Sequence, residues 1–321
     1  MIWIIFVLLC LSCQDGALKP QLTENRKLND KQKLFDKKFD VNLDLMTKYK
    51  NKLYFVDWSQ GQFNRFNLDD KKFEPTFGNY GLSPKEYLNV INYKVSDSSI
   101  TSFDSDKSVY KNHAFSDTLF NYLKVPITFN AAVFKDDKIL TMSRGAAEND
   151  FKLQFYIYDI LKSTTKNLEL DIDRFDKSFS GLSYNGYFAE GLNSKFIVYI
   201  PFESDFYMVF DKNFNFIDTG ETLYKTPEPN FTMTTKNELV KDDYSYEVNV
   251  NASINNNIMY ILTNVDQSDN NYHVDFYDLA SLKYLGSYSV ESTKSDTPRE
   301  ILIRDENMFI LYHEKIEVFN I

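Results

Sequence analysis

The sequence is poor in the residues that close disulfides, bind metals or cradle phosphates. Its two cysteines, Cys10 and Cys13, lie near the start of the chain, so neither can staple the folded part that follows. The three histidines, His113, His273 and His313, are far apart and lack the paired spacing of zinc ligands. The ten glycines form no phosphate-binding loop. We therefore expect no metal site and no cofactor.

Basic residues and catalytic motifs are also scarce. The chain has 36 Lys and Arg against 46 Asp and Glu, which gives a net charge of −10. Because an acidic surface repels phosphate backbones and the sequence has no basic patch, we expect no nucleic-acid partner. Residues 181–186 include one residue too many for a Gly-x-Ser-x-Gly nucleophile elbow. The sequence thus predicts no catalytic residues.

Aromatic residues are abundant, at 16% of the chain, and they mark an internal repeat. Each copy looks like the end of a strand, with an apolar residue, an aromatic residue and often Asp or Asn. The aromatic residues of the six copies are Phe66, Tyr110, Tyr158, Phe210, Tyr277 and Phe319. The intervals of 44, 48, 52, 67 and 42 residues resemble the roughly 40–50 residues of one propeller blade. A dense apolar run precedes each copy, which is typical of a strand buried on both faces.

This repeat predicts an all-β fold, a six-bladed β-propeller of four-stranded antiparallel blades over residues 34–321. The last copy ends at Ile321 without an outer strand. We expect residues 34–41 to supply that strand, so that the sixth blade is shared between both ends of the chain. The longest interval contains an insertion, residues 223–243, which we expect to overhang one mouth of the central channel.

A more specific motif follows the first apolar run, at residues 77–87. The positions that agree with a Gly-x-x-Gly-x-Gly-Pro-x-Glu-Tyr/Phe blade junction are Gly78, Gly81, Pro84, Glu86 and Tyr87, and Ser83 stands in place of the third glycine. On this motif the chain resembles the six-bladed, TolB-like or NHL-like propellers found among lipoproteins of Gram-negative bacteria. The resemblance implies the propeller fold and export, and a binding or accessory role without an assigned reaction.

The N-terminal residues have the features of an export signal. Residues 1–12 carry no charged side chain and are too few to cross a bilayer, which needs about 20 apolar residues, so they match a signal peptide. Leu11-Ser12-Cys13 then resembles the bacterial lipobox, in which a small residue precedes the lipidated cysteine. We predict lipidation at Cys13 and a tether over residues 13–33, with an ordinary cleaved signal or a misplaced start as alternatives. The predicted location is the cell envelope, anchored to the lipid bilayer of the outer membrane.

Propellers usually bind ligands at the mouth of the central channel, on inner strands and on loops between second and third strands. We assign Trp58, Arg144, Glu148 and His273 to such loops, and Asn130, Asn185 and Arg299 to the starts of inner strands. These seven residues are the predicted contacts for a ligand.

The first functional hypothesis is a non-catalytic module that binds an envelope protein, a peptide or a glycan at the channel mouth. The alternative is a hydrolase or lyase on the same scaffold, with carboxylates and a bound cation in the channel. Motif searching can miss such a site, because a propeller draws its residues from distant parts of the sequence. A third possibility is a sensor or an assembly scaffold.

Overall fold

The computed structural model describes residues 25–35, 43–116, 119–126, 129–146, 150–191, 193–235, 238–241, 244–266, 271–294, 296–313 and 315–321. Most strands of these residues belong to six sheets, the blades of a propeller, in which consecutive strands pair antiparallel. Within each blade the first strand is the inner one, and successive strands lie further out. The predicted all-β, six-bladed fold is therefore confirmed.

The first three blades follow one another directly along the chain. The strands of blade 1 are β3 (Leu43–Tyr49), β4 (Lys52–Asp57), β5 (Gln62–Asn67) and β6 (Lys72–Phe77). Those of blade 2 are β7 (Val90–Val95), β8 (Ser99–Asp104), β9 (Val109–Ala114) and β10 (Leu119–Lys124). Those of blade 3 are β11 (Ala131–Lys135), β12 (Lys138–Ser143), β13 (Gln154–Asp159) and β14 (Thr164–Leu168).

A 3-10 turn (Asp173–Asp176) and a single helical turn, α1 (Ser180–Ser183), lead into the remaining blades. Blade 4 contains β15 (Gly186–Glu190), β16 (Phe196–Pro201), β17 (Phe206–Asp211) and β18 (Phe216–Glu221). The insertion that follows forms a hairpin, β19 (Phe231–Met233) and β20 (Leu239–Lys241). Blade 5 contains β21 (Asn249–Asn255), β22 (Ile258–Asn264), β23 (Tyr272–Asp278) and β24 (Lys283–Val290). Blade 6 contains β25 (Pro298–Arg304), β26 (Asn307–Tyr312) and β27 (Ile316–Asn320).

The N-terminal part of the chain lies on the outer edges of the last two blades. Strand β1 (Asn25–Lys27) pairs in parallel with β24 of blade 5. Strand β2 (Asn29–Phe35) pairs antiparallel with β27 and is the fourth strand of blade 6. The strand expected there was residues 34–41, of which 36–41 lie outside the described residues. Most of residues 25–33, which were predicted to belong to the tether, thus lie in strands β1 and β2.

Burial at the joints between blades explains the apolar runs in the sequence. Five of the six residues in β4 and in β16 are buried, because each second strand is covered on both faces. Six hydrophobic clusters lie in the described structure, one between each pair of neighbouring blades. The cluster that joins blade 6 to blade 1 packs Leu302 and Phe309 against Leu53 and Phe55. Side-chain packing therefore joins the last blade to the first.

The aromatic markers lie in the third strand of each blade, five of them near its end and Tyr110 near the start of β9.

In the described part of the chain, no helix is long and apolar enough to cross a membrane.

Candidate functional site

A cavity of about 390 Å³ occupies the central channel. Its walls are the inner strands of five blades, at residues 45–49, 91–95, 188–191, 251–253 and 300–302, together with Lys212 and Arg304. All inner strands run in the same direction, so they begin at one mouth of the channel, the start mouth, and finish at the other, the end mouth. The cavity reaches the last residues of β3, β7, β15 and β25. It therefore opens towards the end mouth.

The free edge of an inner strand is bonded by side chains from the preceding blade. The Asn92 amide donates to the carbonyl of Ala132 at 2.8 Å. In the same way, Asn251 Oδ1 and Ser253 Oγ accept the backbone N–H groups of Ile301 at 3.0 Å and Ile303 at 2.9 Å. Unpaired backbone groups would otherwise line the channel. These side chains thus hold neighbouring blades at a fixed distance and shape the cavity.

The joint between blades 6 and 1 uses a buried carboxyl group. Glu300 accepts the backbone N–H of Met46 at 2.5 Å and also that of Leu45. Both donors lie where β3 shifts register, and Leu45 has a left-handed φ of 55°. Such a bulge aims two successive N–H groups to one side of the strand. Tyr93 of blade 2 donates to the carbonyl of Leu45 at 2.6 Å, so three blades meet at this point.

A second carboxyl group, Asp44, lies beside Glu300. Arg299 donates to Asp44 at 2.6 Å. Burial raises the pKa of Asp44 to about 6, and Arg299 opposes that rise. Burial likewise raises the pKa of Glu300 to about 7, and the charge of Asp44 adds to the rise, whereas the two N–H donors oppose it. The two side chains are both less than a tenth exposed, so the low polarity of the joint controls their ionisation.

We expect this joint to make stability depend on pH. The pKa of Glu300 is higher in the folded chain, about 7, than its ordinary value of 4.5, so the folded state holds the extra proton between these values. Stability is therefore highest below pH 4.5 for this group and falls as the pH rises through 7. Wild type should lose about 2–3 kcal/mol of unfolding free energy through this group between pH 5 and pH 8, and Glu300→Gln should not. The stability of the variant relative to wild type should therefore rise by that amount over the same range. Urea denaturation at the two pH values measures the change.

Glu306, an exposed glutamate a few positions after Glu300 in the sequence, provides the control for that experiment. Glu306→Gln should keep the wild-type dependence on pH, because it leaves the buried joint unchanged. A pH dependence of Glu300→Gln that parallels wild type would contradict the assignment.

The end mouth carries most of the positive charge of the cavity. Lys94 pairs with Glu190 at 2.9 Å, and Lys48 pairs with Asp305 at 3.0 Å. Lys212 donates to the carbonyl of Gly191 at 3.2 Å. Arg304 also lines the cavity, and its buried Nε has no hydrogen-bond partner within the described structure.

Three predicted contact residues come together at the start mouth, at the joint of blades 3 and 4. Asn130 Oδ1 accepts the backbone N–H of Arg144 at 3.0 Å, and Arg144 Nε donates to Asn185 Oδ1 at 3.0 Å. The predicted loop position of Arg144 and the strand-start positions of Asn130 and Asn185 agree with the structure. The bonds show that these side chains join two blades. None of the three lines the cavity.

The other predicted residues lie apart from this group. Trp58 follows β4 as expected; its indole N–H donates to the carbonyl of Val90 at 3.0 Å, and the side chain is 42% exposed. Arg299 lies in β25 and pairs with Asp44. The expected loop position of His273 is wrong: it lies in β23, is buried, and contacts Asn271 at 3.2 Å. The prediction failed at His273 because β23 begins at Tyr272, earlier than the apolar pattern indicates.

Two predicted residues, Glu148 and Cys13, lie outside the described residues. The described part of the chain contains no group of three or more His, Cys, Asp or Glu side chains that could hold a metal ion.

The side chains that line the cavity were not among the predicted contact residues. Their only signal is a polar residue at alternate positions of an inner strand, as in Asn92 and Lys94 or in Asn251 and Ser253. Alternation of this kind is also the pattern of an ordinary solvated strand face. The pattern therefore could not distinguish a channel wall from an exposed surface.

No protein-family model matches the sequence, and no curated protein does. Solved structures do match it. A member of the DUF4221 family from Bacteroides vulgatus is 12% identical, covers 94% of this chain and 97% of its own, and has a TM-score of 0.57. A protein from Bacteroides fragilis, described as exported, is 11% identical over 90% and 94% of the two chains, with a TM-score of 0.54. A streptogramin B lyase is 10% identical over 91% and 97%, with a TM-score of 0.52. At such low identity, these likenesses show a shared β-propeller fold alone.

Proposed function

We propose that the chain is a non-catalytic binding propeller, which takes part of a peptide, glycan or other partner molecule into the channel cavity through the end mouth. The observation that carries the proposal is the cavity, which has a volume of about 390 Å³ and is walled by five blades. This volume falls within the roughly 300–1,000 Å³ typical of ligand pockets. Because the walls are strands fixed by bonds between blades, the cavity is formed before a ligand arrives.

The bonds of the two carboxyl groups at the joint between blades 6 and 1 favour binding over catalysis. Glu300 accepts two backbone N–H groups, and Asp44 is held by Arg299. A general base needs an oxygen that faces the proton to be removed. Asp44 and Glu300 instead serve the joint between two blades.

The proposed location is the bacterial cell envelope, where acyl chains on Cys13 would anchor the protein to the outer membrane. The lipobox-like Leu11-Ser12-Cys13 supports the anchor. The structural neighbour from Bacteroides fragilis that is described as exported is consistent with this location.

A hydrolase or lyase on this scaffold is the second candidate, and one observation favours it. Glu300 lines the cavity, and its pKa of about 7 is in the range of a general base at neutral pH. The streptogramin B lyase among the structural neighbours adds an analogy of fold only. The two candidates differ in whether the bound molecule is recovered unchanged.

A ligand screen with a blocked cavity tests the proposal. Purified wild type is screened against peptides, glycans and metabolites by saturation-transfer NMR, beside Thr47→Trp, which puts an indole on the cavity wall. Thr164→Trp, on the exposed outer strand β14, is the matched control. We expect ligands that bind wild type and Thr164→Trp, lose binding to Thr47→Trp, and return with unchanged spectra. Binding that Thr47→Trp leaves intact would overturn the cavity site, and conversion of a ligand would favour the enzyme.

A further inference from the structure

The titratable groups of the cavity wall give it an excess of positive charge. Four cationic side chains line the cavity, whereas only two carboxyl groups do. The cations are Lys48, Lys94, Lys212 and Arg304, and the carboxyl groups are Glu190 and Glu300. This excess is local, because the whole chain has a net charge of −10. A general basic character of the protein therefore cannot explain it.

Most polar groups of the wall already have partners that fix the blades. Asn92, Asn251 and Ser253 bond to backbone groups of the next blade. Lys94 is held by Glu190, and it also donates to the carbonyl of Phe134 and lies over that ring at 4.8 Å. These contacts leave little capacity for a ligand.

Lys212 and Arg304, which we call the cation pair, are bonded differently. Lys212 Nζ donates to one neutral carbonyl, that of Gly191, at 3.2 Å. Arg304 Nε is buried and lacks a hydrogen-bond partner among the described residues. Neither side chain forms an ion pair with a carboxylate in the described structure; both feel the charge of Glu190, which is already paired.

The surroundings of the cation pair disfavour its charge. Burial lowers the pKa of Lys212, and the nearby cations Lys94 and Lys135 lower it further against the opposing effect of Glu190. Burial also lowers the pKa of Arg304. An anion bound beside Lys212 would offset both its desolvation and the repulsion from Lys94 and Lys135, and an anion beside Arg304 would offset the desolvation of the guanidinium.

We propose that the cation pair, Lys212 and Arg304, binds the oxyanion of a small ligand, a phosphate or sulfate ester or a carboxylate, in the channel cavity. This inference rests on the proposed binding function and names the chemistry of its ligand. A guanidinium and an ammonium group bind tetrahedral or planar oxyanions by charge-assisted hydrogen bonds. The ligand then supplies the anionic partner that the Arg304 guanidinium, which lines the cavity, lacks among the described residues.

The size of the cavity and the charge of the chain restrict the ligand further. A cavity of about 390 Å³ accommodates one anionic group with a small body. Polyanions are repelled by the acidic exterior before they reach the mouth. The ligand is therefore a small molecule or the anionic end of a longer one.

Inorganic phosphate is the probe for the test, observed by 31P NMR line broadening as the purified chain is titrated at constant ionic strength. Wild type should broaden the signal saturably, and Lys212→Gln and Arg304→Gln should each weaken binding by about tenfold or more. Glu190→Gln should tighten binding severalfold, because it removes the carboxylate that competes for the cations. A purely structural role of these residues would not produce a gain.

Lys166→Gln is the matched control, since Lys166 is exposed on the outer strand β14, far from the channel. It should bind phosphate as wild type does. Equal phosphate binding by wild type, Lys212→Gln and Arg304→Gln, or weaker binding by Glu190→Gln, would overturn the anion site. Failure of this inference is distinct from failure of the proposed function. If the phosphate test fails but neutral ligands bind wild type and not Thr47→Trp, the anion site is wrong and the binding propeller stands.

Discussion

Replacing Asp104 by Ala should cost the protein about 3–5 kcal/mol of unfolding free energy, the loss typical of breaking a buried ion pair. Asp104 and Lys111 lie 3.5 Å apart, and both side chains are fully buried. Asp104 also accepts the backbone N–H groups of Leu88 at 3.0 Å and Asn89 at 3.2 Å. Its removal leaves a buried ammonium group without its carboxylate and two partly buried backbone donors without this acceptor.

Lys111 is the reason that the loss should be large. Its ammonium group lies 4.0 Å from the centre of the Tyr87 ring and donates to the carbonyl of Glu86. Burial lowers the pKa of Lys111 to about 8, and Asp104 opposes that fall. Without Asp104 the pKa of Lys111 should fall further, so the variant should regain part of its lost stability relative to wild type as the pH rises towards 8.

Urea denaturation followed by the emission of Trp58 measures this loss. Trp58 is one of two tryptophans in the chain, and the other, Trp3, lies in the predicted signal peptide. Asp106→Ala is the control, because Asp106 is exposed two residues away and should change stability by less than about 0.5 kcal/mol. The double variant Asp104→Ala with Lys111→Met should recover much of the loss, because it removes the unpaired charge. A single variant no weaker than Asp106→Ala would contradict this account.

The same cluster explains why the blade-junction motif implied a fold and no chemistry. Glu86 accepts the backbone N–H of Ser83 at 2.7 Å, and a Cβ at Gly81 would come within 2.2 Å of that carboxylate. Gly81 itself has a φ of 155°, in a region that other residues rarely adopt. The Tyr87 hydroxyl contacts His113 Nδ1 at 2.9 Å. Each motif residue with a described role thus shapes the turn that leads into blade 2.

The blades could be predicted from the sequence because burial imposes a pattern on their middle strands. Phe66 and Phe210, both fully buried in third strands, carry the aromatic marker. The outer strands escaped prediction for the opposite reason. In β14 four of five residues are exposed, and β2 was placed too late in the chain. An outer strand is identified by its pairing with a neighbour rather than by its side chains.

The cavity could not be predicted, since its walls depend on contacts between residues far apart in the chain. Glu300 meets Leu45 and Met46 across 255 and 254 positions. Lys94 meets Glu190 across 96 positions. Predicted contacts such as Trp58 and Arg144 lie in loops at the start mouth, whereas the cavity opens at the end mouth. Those start-mouth residues remain predicted contacts for a partner, and their observed bonds join blades.

The largest expected effect on location comes from Cys13. Replacing Cys13 by Ala should move the protein from the membrane fraction to the soluble fraction, whereas Cys10→Ala should leave it on the membrane. Each buried methylene of an acyl chain contributes about 0.8 kcal/mol, so two or three acyl chains hold a protein firmly at a membrane. A protein without acyl chains lacks this anchor. Cys10 is the matched control because it is the other cysteine of the chain and lies within the predicted signal peptide.

Fractionation of cells and mass spectrometry of the mature N-terminus measure the outcome. A wild-type chain that begins at an acylated Cys13 would agree with the anchor, and equal membrane fractions for both variants would contradict it. The first strand of the described residues begins at Asn25, so residues 13–24 would separate the anchor from the propeller. A fully extended chain of that length spans on the order of 40 Å. Because β1 and β2 lie on the outer edges of blades 5 and 6, the anchor would hold the propeller by its rim, within that distance of the membrane, and leave both mouths of the channel clear of the attachment point.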